Sequence, residues 1–105
     1  MSSKKLGSLL GLSRRAGRVS LGTDSVLDNL GSKKIHLIFV ASDASPATID
    51  KVIRKGFFYK IPVIKSFDTL FLDKSLGTSN IKVLGILDKG FSTAMLKEVS
   101  EVEGE

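Results

Sequence analysis

The stretch Ile35–Ser42, IHLIFVAS, constrains this chain most. It is a short, almost wholly apolar run. Such a run suits a strand covered on both faces, as in a sheet lying under helices. The segments on either side carry apolar residues at helical spacing, so the run cannot stand alone.

Leu6, Leu9 and Leu10 predict a first helix over residues 3–16, with Gly17 as its terminator. RVSL is a short strand. SLGTDSVLDNLG, Ser20–Gly31, predicts a second helix. Thr23 is its expected cap, Val26, Leu27 and Leu30 its inner face, and Gly31 its stop. Asp24, Ser25, Asp28 and Asn29 are left to face outward. After the apolar run, Ser45 caps a third helix and Pro46 takes its first position, where a missing N–H costs nothing. Ile49, Val52, Ile53 and Phe57 are its expected buried stripe.

IPVIK is a strand, and Pro62 favours its start or a sheet edge. SFDTLFLDKSLG is helical, IKVLGILD is a strand, and KGFSTAMLKEV is a last helix that packs Phe91, Met95 and Val99. Helices and strands therefore alternate. The expected fold is α/β: a layered sandwich with a mostly parallel sheet between helices. Residues 1–97 form a single domain, and residues 98–105 an acidic, disordered tail.

The charge is uneven. Four of the 11 acids lie in the last eight residues, so all 16 Lys and Arg of residues 1–97 face only seven Asp. A compact domain with that excess attracts polyanions, nucleic acid first. The chain has no Cys, which excludes a disulfide scaffold and a thiolate metal site and fits a reducing cytoplasm. No apolar run is long enough to span a membrane, and the basic N-terminus lacks the apolar core of a signal peptide.

Catalytic signals are scarce. His36, the only histidine, lies inside the apolar run and has no second His or Cys to complete a site. There is no P-loop and no GxGxxG at a strand-to-helix turn. Gly7, Gly11 and Gly17 read as packing positions or caps. Asp24 and Asp28 lie one helical turn apart with no third ligand, which reads as an ordinary surface face. Asp43, in DASP, reads as a turn or cap residue. No enzyme, metal, cofactor or small-molecule substrate is expected.

Four motifs stand in order: LGLSRRAGRVSLG, IFVASDASP, YKIPV and LDKGF. Together they resemble the ribosomal protein L-seven-Ae family of kink-turn RNA-binding proteins, in particular its short bacterial ribosome-associated members. The resemblance spans residues 4–99. It implies a three-layer α-β-α sandwich with a mixed, mostly parallel sheet of four or five strands, and non-enzymatic binding of RNA, ribosomal or otherwise structured, with the ribosome as a partner.

The family's RNA site has two parts. One is a Gly-Thr-Asn-Glu-x-x-Lys pattern at the start of the second helix. It falls here on Gly22, Thr23, Asp24, Ser25 and Asp28, so Gly and Thr match. Asp replaces Asn, Ser replaces Glu, and an acid stands where the lysine meets the backbone. The other part is the loop before the last long strand, here Gly77, Thr78, Ser79, Asn80 and Ile81. Arg14, Arg15, Arg18, Lys33 and Lys34 flank the second helix in sequence as compensating cations. The competing reading is a protein-interaction module that kept the scaffold and lost the RNA site, supported by Asp24, Asp28 and the acidic C-terminus. A small enzyme or nucleotide binder ranks last, because no phosphate loop or catalytic cluster is found.

Overall fold

A computed structural model describes residues 3–32 and 34–103, with the side chains of residues 101–103 left aside. Five helices and four strands alternate in the expected order: α1 (Ser3–Arg15), β1 (Val19–Leu21), α2 (Thr23–Asn29), β2 (Leu37–Val40), α3 (Pro46–Tyr59), β3 (Val63–Ile64), α4 (Thr69–Leu76), β4 (Val83–Ile86) and α5 (Lys89–Glu103). Between α2 and β2 the chain makes one 3-10 turn, Leu30–Ser32.

The strands lie in the order β1-β4-β2-β3. β4 pairs antiparallel with both β1 and β2, and only β2–β3 is parallel. The expectation of a mostly parallel sheet is therefore corrected. β1, β2 and β3 do run in one direction, as strand–helix–strand units require. β4 reverses because α4 does not carry the chain to the far end of the sheet. The segment after α4 turns back, held by Asp73, which accepts hydrogen bonds from Thr78 Oγ1 (2.6 Å), Asn80 N (2.7 Å) and Ile81 N (2.9 Å). β4 thus enters from the end at which β2 leaves, and it inserts between β1 and β2.

Every residue of β2 and β4 is buried. Both faces of the two central strands are covered, which their lack of apolar–polar alternation demands. α2 packs on β1 and β4, α3 on β2 and β3, and α5 on β4, while α1 packs on α4 and α5. The core joins Leu6 and Leu10 of α1, Val26 of α2, Val52 of α3, Leu72 of α4, and Met95 and Val99 of α5 around the strands. Gly7 and Gly11 do serve packing: a Cβ on either would stand 3.0 Å from Ser75 of α4.

Two expectations differ. The α3 stripe runs Ile49, Val52, Ile53 and Gly56, and Phe57 is 86% exposed. The fourth inward position, seven residues after Ile49, is Gly56, and it has no room for a side chain. A Cβ there would lie 2.5 Å from Val63 Cγ2 and 3.0 Å from the Ile61 carbonyl. The close return of the chain into β3 needs that space. The C-terminus also differs from the expected tail. Residues 98–103 continue α5, and Glu98 is buried, with Lys5 Nζ 3.5 Å from its carboxylate. Val99 and Met95 lie one helical turn apart on the buried face, which holds this turn of α5 against the domain. Gly104 and Glu105 lie outside the described residues.

Candidate nucleic-acid interface

The start of α2 is set by its backbone. The N-cap is Gly22, with no side-chain cap, and Thr23 is the first helical residue. The expected Thr23 cap is corrected, because the Gly22 carbonyl already accepts the first helical bond, from Val26 N (3.1 Å). Gly22 has φ 98° and ψ 153°, a conformation open only to glycine. Its N–H donates to the Val83 carbonyl (2.9 Å), which ties the helix start to the first residue of β4. The N–H groups of Thr23, Asp24 and Ser25 have no partner among the described residues and point along the positive end of the helix.

The outward face differs in two residues, Ser25 and Asn29, both half-buried. Asp24 and Asp28 are exposed, but the Ser25 hydroxyl is hydrogen-bonded to that of buried Ser20 in β1. Asn29 Nδ2 donates to the Ser25 carbonyl (2.8 Å). Val26 and Leu30 are buried and Leu27 is half-buried, as the spacing predicts. Gly31 does not stop the helix: the α-helical bonds end at Asn29 and the 3-10 turn runs past it to Ser32.

The loop 77–81 is rigidly held. Gly77 ends α4 in the left-handed conformation. The Asp73 carboxylate then gathers Thr78, Asn80 and Ile81, and Asn80 itself adopts φ 62°. The Thr78 hydroxyl above all, then the Ile81 and Asn80 amides, hold the Asp73 carboxyl below its usual range. Ser79 and Asn80 are exposed, while Ile81 packs against the core and offers no free apolar wedge.

The sheet brings these two parts together and separates the flanking cations. Leu21 pairs with Leu84 and Gly22 bonds to Val83, so the start of α2 and the exit of the loop share one end of the sheet. Arg14 reaches the same loop from the other side, its guanidinium donating to the Leu76 carbonyl beside Gly77. Arg15 is exposed on the groove between α1 and α4. Arg18 lies elsewhere: its carbonyl accepts from Leu87 N (2.8 Å), at the opposite end of β1 from Gly22. Lys34 precedes β2 at that opposite end too, since Leu37 pairs with Ile86. Lys33 lies outside the described residues.

One cation at the α2 end was not singled out in the sequence. Lys82 stands next to Val83, and its Nζ donates to Thr69 Oγ1 (2.8 Å) and lies 3.9 Å from Asp43 Oδ2. Its only sequence signal is its place before a strand, and the pairing of that strand with β1 is a tertiary fact. Asp43 helps to start α4, whose N-cap is Asp68. Asp43 accepts from Thr69 Oγ1 (2.7 Å) and Thr69 N (2.9 Å). The Thr69 hydroxyl and amide keep its carboxyl below the usual range, with Lys82 a smaller influence. Ser45 caps α3, accepting from Thr48 N. His36 is half-buried beside the start of β2, and among the described residues no three acids or histidines are placed to hold a metal ion.

Residues 2–96 match the model of the ribosomal protein L7Ae/L30e/S12e/Gadd45 family. The chain belongs to this family. It is 34% identical over 89 residues to the RNA-binding protein YlxQ of Enterococcus faecium, covering 85% of each chain. It is 32% identical over 96 residues to RNA-binding protein YlxQ of Bacillus subtilis, covering 91% of this chain and 96% of that one. Among solved structures it resembles a Bacillus halodurans protein of unknown function, with TM-score 0.88, 30% identity, and coverage of 91% and 97% of the two chains. The fold is also that of a Giardia lamblia 15.5kD RNA binding protein, with TM-score 0.80, 17% identity, and coverage of 98% and 88%.

Proposed function

We propose that this L7Ae-family chain is a non-enzymatic RNA-binding protein of the cytoplasm. Its target is structured, kink-turn-like RNA, with the ribosome as its setting and a three-layer α-β-α sandwich as its scaffold. One observation carries the reading: the start of α2 and the loop 77–81, the two halves of the family's RNA site, lie side by side through the Gly22–Val83 bond. The YlxQ relatives, named as RNA-binding proteins, point the same way.

The chemistry fits a bent RNA. Three unpartnered N–H groups at the α2 start can meet a phosphate or a base edge. Asp24 can accept from a guanine amino group. Thr78–Asn80, fixed by Asp73, supplies a polar ledge for splayed bases. Arg14, Arg15 and Lys82 supply positive charge near these parts, which offsets the acid at Asp28. Arg18 and Lys34 act at longer range from the other end of the sheet.

The test is a titration of kink-turn RNA against the same RNA with its sheared G·A pairs disrupted, across a salt series. Binding that falls with salt and weakens when the pairs are disrupted is expected. Equal affinity for the two RNAs at physiological salt refutes kink-turn recognition. A protein partner retained after nuclease treatment, with no RNA preference, supports the interaction-module reading instead.

A further inference from the structure

The C-terminal end of α3 carries three consecutive aromatics that the core does not use. Phe57 is 86% exposed, Phe58 75% and Tyr59 41%. Phe58 and Tyr59 meet edge to face at 5.0 Å. Beside them a groove of about 340 Å³ runs between Tyr59 and Lys60 on one wall and Leu30 and His36 on the other. Single exposed apolar residues are ordinary; three neighbouring exposed rings, two of them in contact, beside an open groove mark an interaction surface.

The charge around it selects the partner. Residues 51–60 contain Lys51, Arg54, Lys55 and Lys60 and no acid. Arg54 is paired with Asp50, while the three lysines are exposed, as is Lys34, which precedes the groove residues Ile35 and His36. A partner must therefore be anionic and must also offer flat apolar faces. A second copy of the chain would set like charge against like. Double-stranded RNA offers phosphates but keeps its bases stacked inside. An unpaired RNA strand offers both phosphates and open base faces.

We infer that the α3 end, with the groove beside it, is a second RNA surface that holds an unpaired strand by stacking its bases on Phe57, Phe58 and Tyr59. It is separate from the α2 site. α3 ends where β3 begins, at the end of the sheet opposite Gly22. The lysines track the phosphates, and Tyr59 and His36 face a base seated in the groove. An RNA with a structured element and a single-stranded extension would be held at both ends of the sheet.

The chain has one tyrosine and no tryptophan, so its intrinsic emission reports on this surface alone. A short oligouridylate is titrated into the full chain at physiological salt, following Tyr59 emission and the anisotropy of labelled RNA. Saturable quenching is expected. The Phe57→Ala/Phe58→Ala variant, which removes no charge, should bind the oligouridylate about tenfold more weakly. It should bind a kink-turn hairpin without an extension as the wild type does, which keeps this result apart from that of the α2 site. Absence of quenching in the wild type overturns the inference without recourse to a variant. So does unchanged oligouridylate affinity in the double variant. Quenching by an oligoglutamate peptide or by anionic lipid vesicles at lower concentrations than by oligouridylate also overturns it, and gives the surface to an acidic protein or a membrane.

Discussion

Replacing Gly22 tests whether the α2 start is fixed by its backbone. Gly17 and Gly22 both have positive φ, 71° and 98°, and a Cβ on either meets nothing within 4 Å. Sterics with neighbours therefore cancel, and only the local backbone differs. Gly17 has the φ of the left-handed region, which asparagine enters at little cost. Gly22, at ψ 153°, lies where only glycine is at ease, and any other residue costs about 1–3 kcal/mol. Asparagine is a good N-cap, which returns a few tenths of a kcal/mol. Gly22→Asn should thus lose about 1–2 kcal/mol net, a fall in Tm of about 10 °C for a domain of this size. Gly17→Asn should stay within about 0.5 kcal/mol of wild type. Gly22→Ala should fall at least as far as Gly22→Asn, because alanine is a poor cap. Thermal unfolding followed by circular dichroism reads all three. If Gly22→Asn melts at or above wild type, the α2 start is held by a side-chain cap and this reasoning is wrong. Gly22→Asn should also weaken kink-turn RNA binding under conditions where the variant remains folded, since it disturbs the aim of three N–H groups.

Asp28→Lys should tighten kink-turn RNA binding and steepen its salt dependence by about one phosphate contact; an unchanged salt slope in a filter-binding series counts against this docking. Asp73→Asn should loosen the loop 77–81, seen as faster amide exchange at Asn80 and Ile81 with the strands unaffected. The pH dependence in the wild type follows from the same carboxylate. Its folded pKa is lowered from 3.8, so its contribution is fully present above that value and is lost as pH falls through the lower folded pKa. An amide titration of Asn80 that shows its transition above 3.8 would contradict the hydrogen bonds. Gly56→Ala should gain about 1 kcal/mol of helix propensity but lose about 1–3 kcal/mol to the Val63 clash, lowering Tm, and Val63→Ala should restore part of that loss.

Much of the fold is legible in residue order. The apolar runs at Leu37–Val40 and Val83–Ile86, the Ser45-Pro46 helix start and the Gly77 end all carry local signals that tertiary context did not override. Phe57 is different. Helical spacing points to both Gly56 and Phe57 as inward, and hydrophobicity favours Phe57. Only the close pass of Val63 and Ile61 explains why the glycine goes in and the ring goes out.

The site divides along the same line. A resemblance carried by four short motifs proposes the α2 start and the loop 77–81 as the interface, because such patterns are contiguous in the chain. It could not sort the cations, because Arg14, Arg18, Lys34 and Lys82 are sorted by sheet end, and sheet ends depend on strand pairing. Sequence by itself determined the kinds of element and their order, since periodicity, caps and local motifs are short-range, and the family resemblance proposed the two halves of the candidate interface. Only the tertiary structure decided that β4 lies reversed between β1 and β2. That one insertion sets Val83 beside Gly22, joins the two halves, and leaves the α3 aromatics at the opposite end of the sheet.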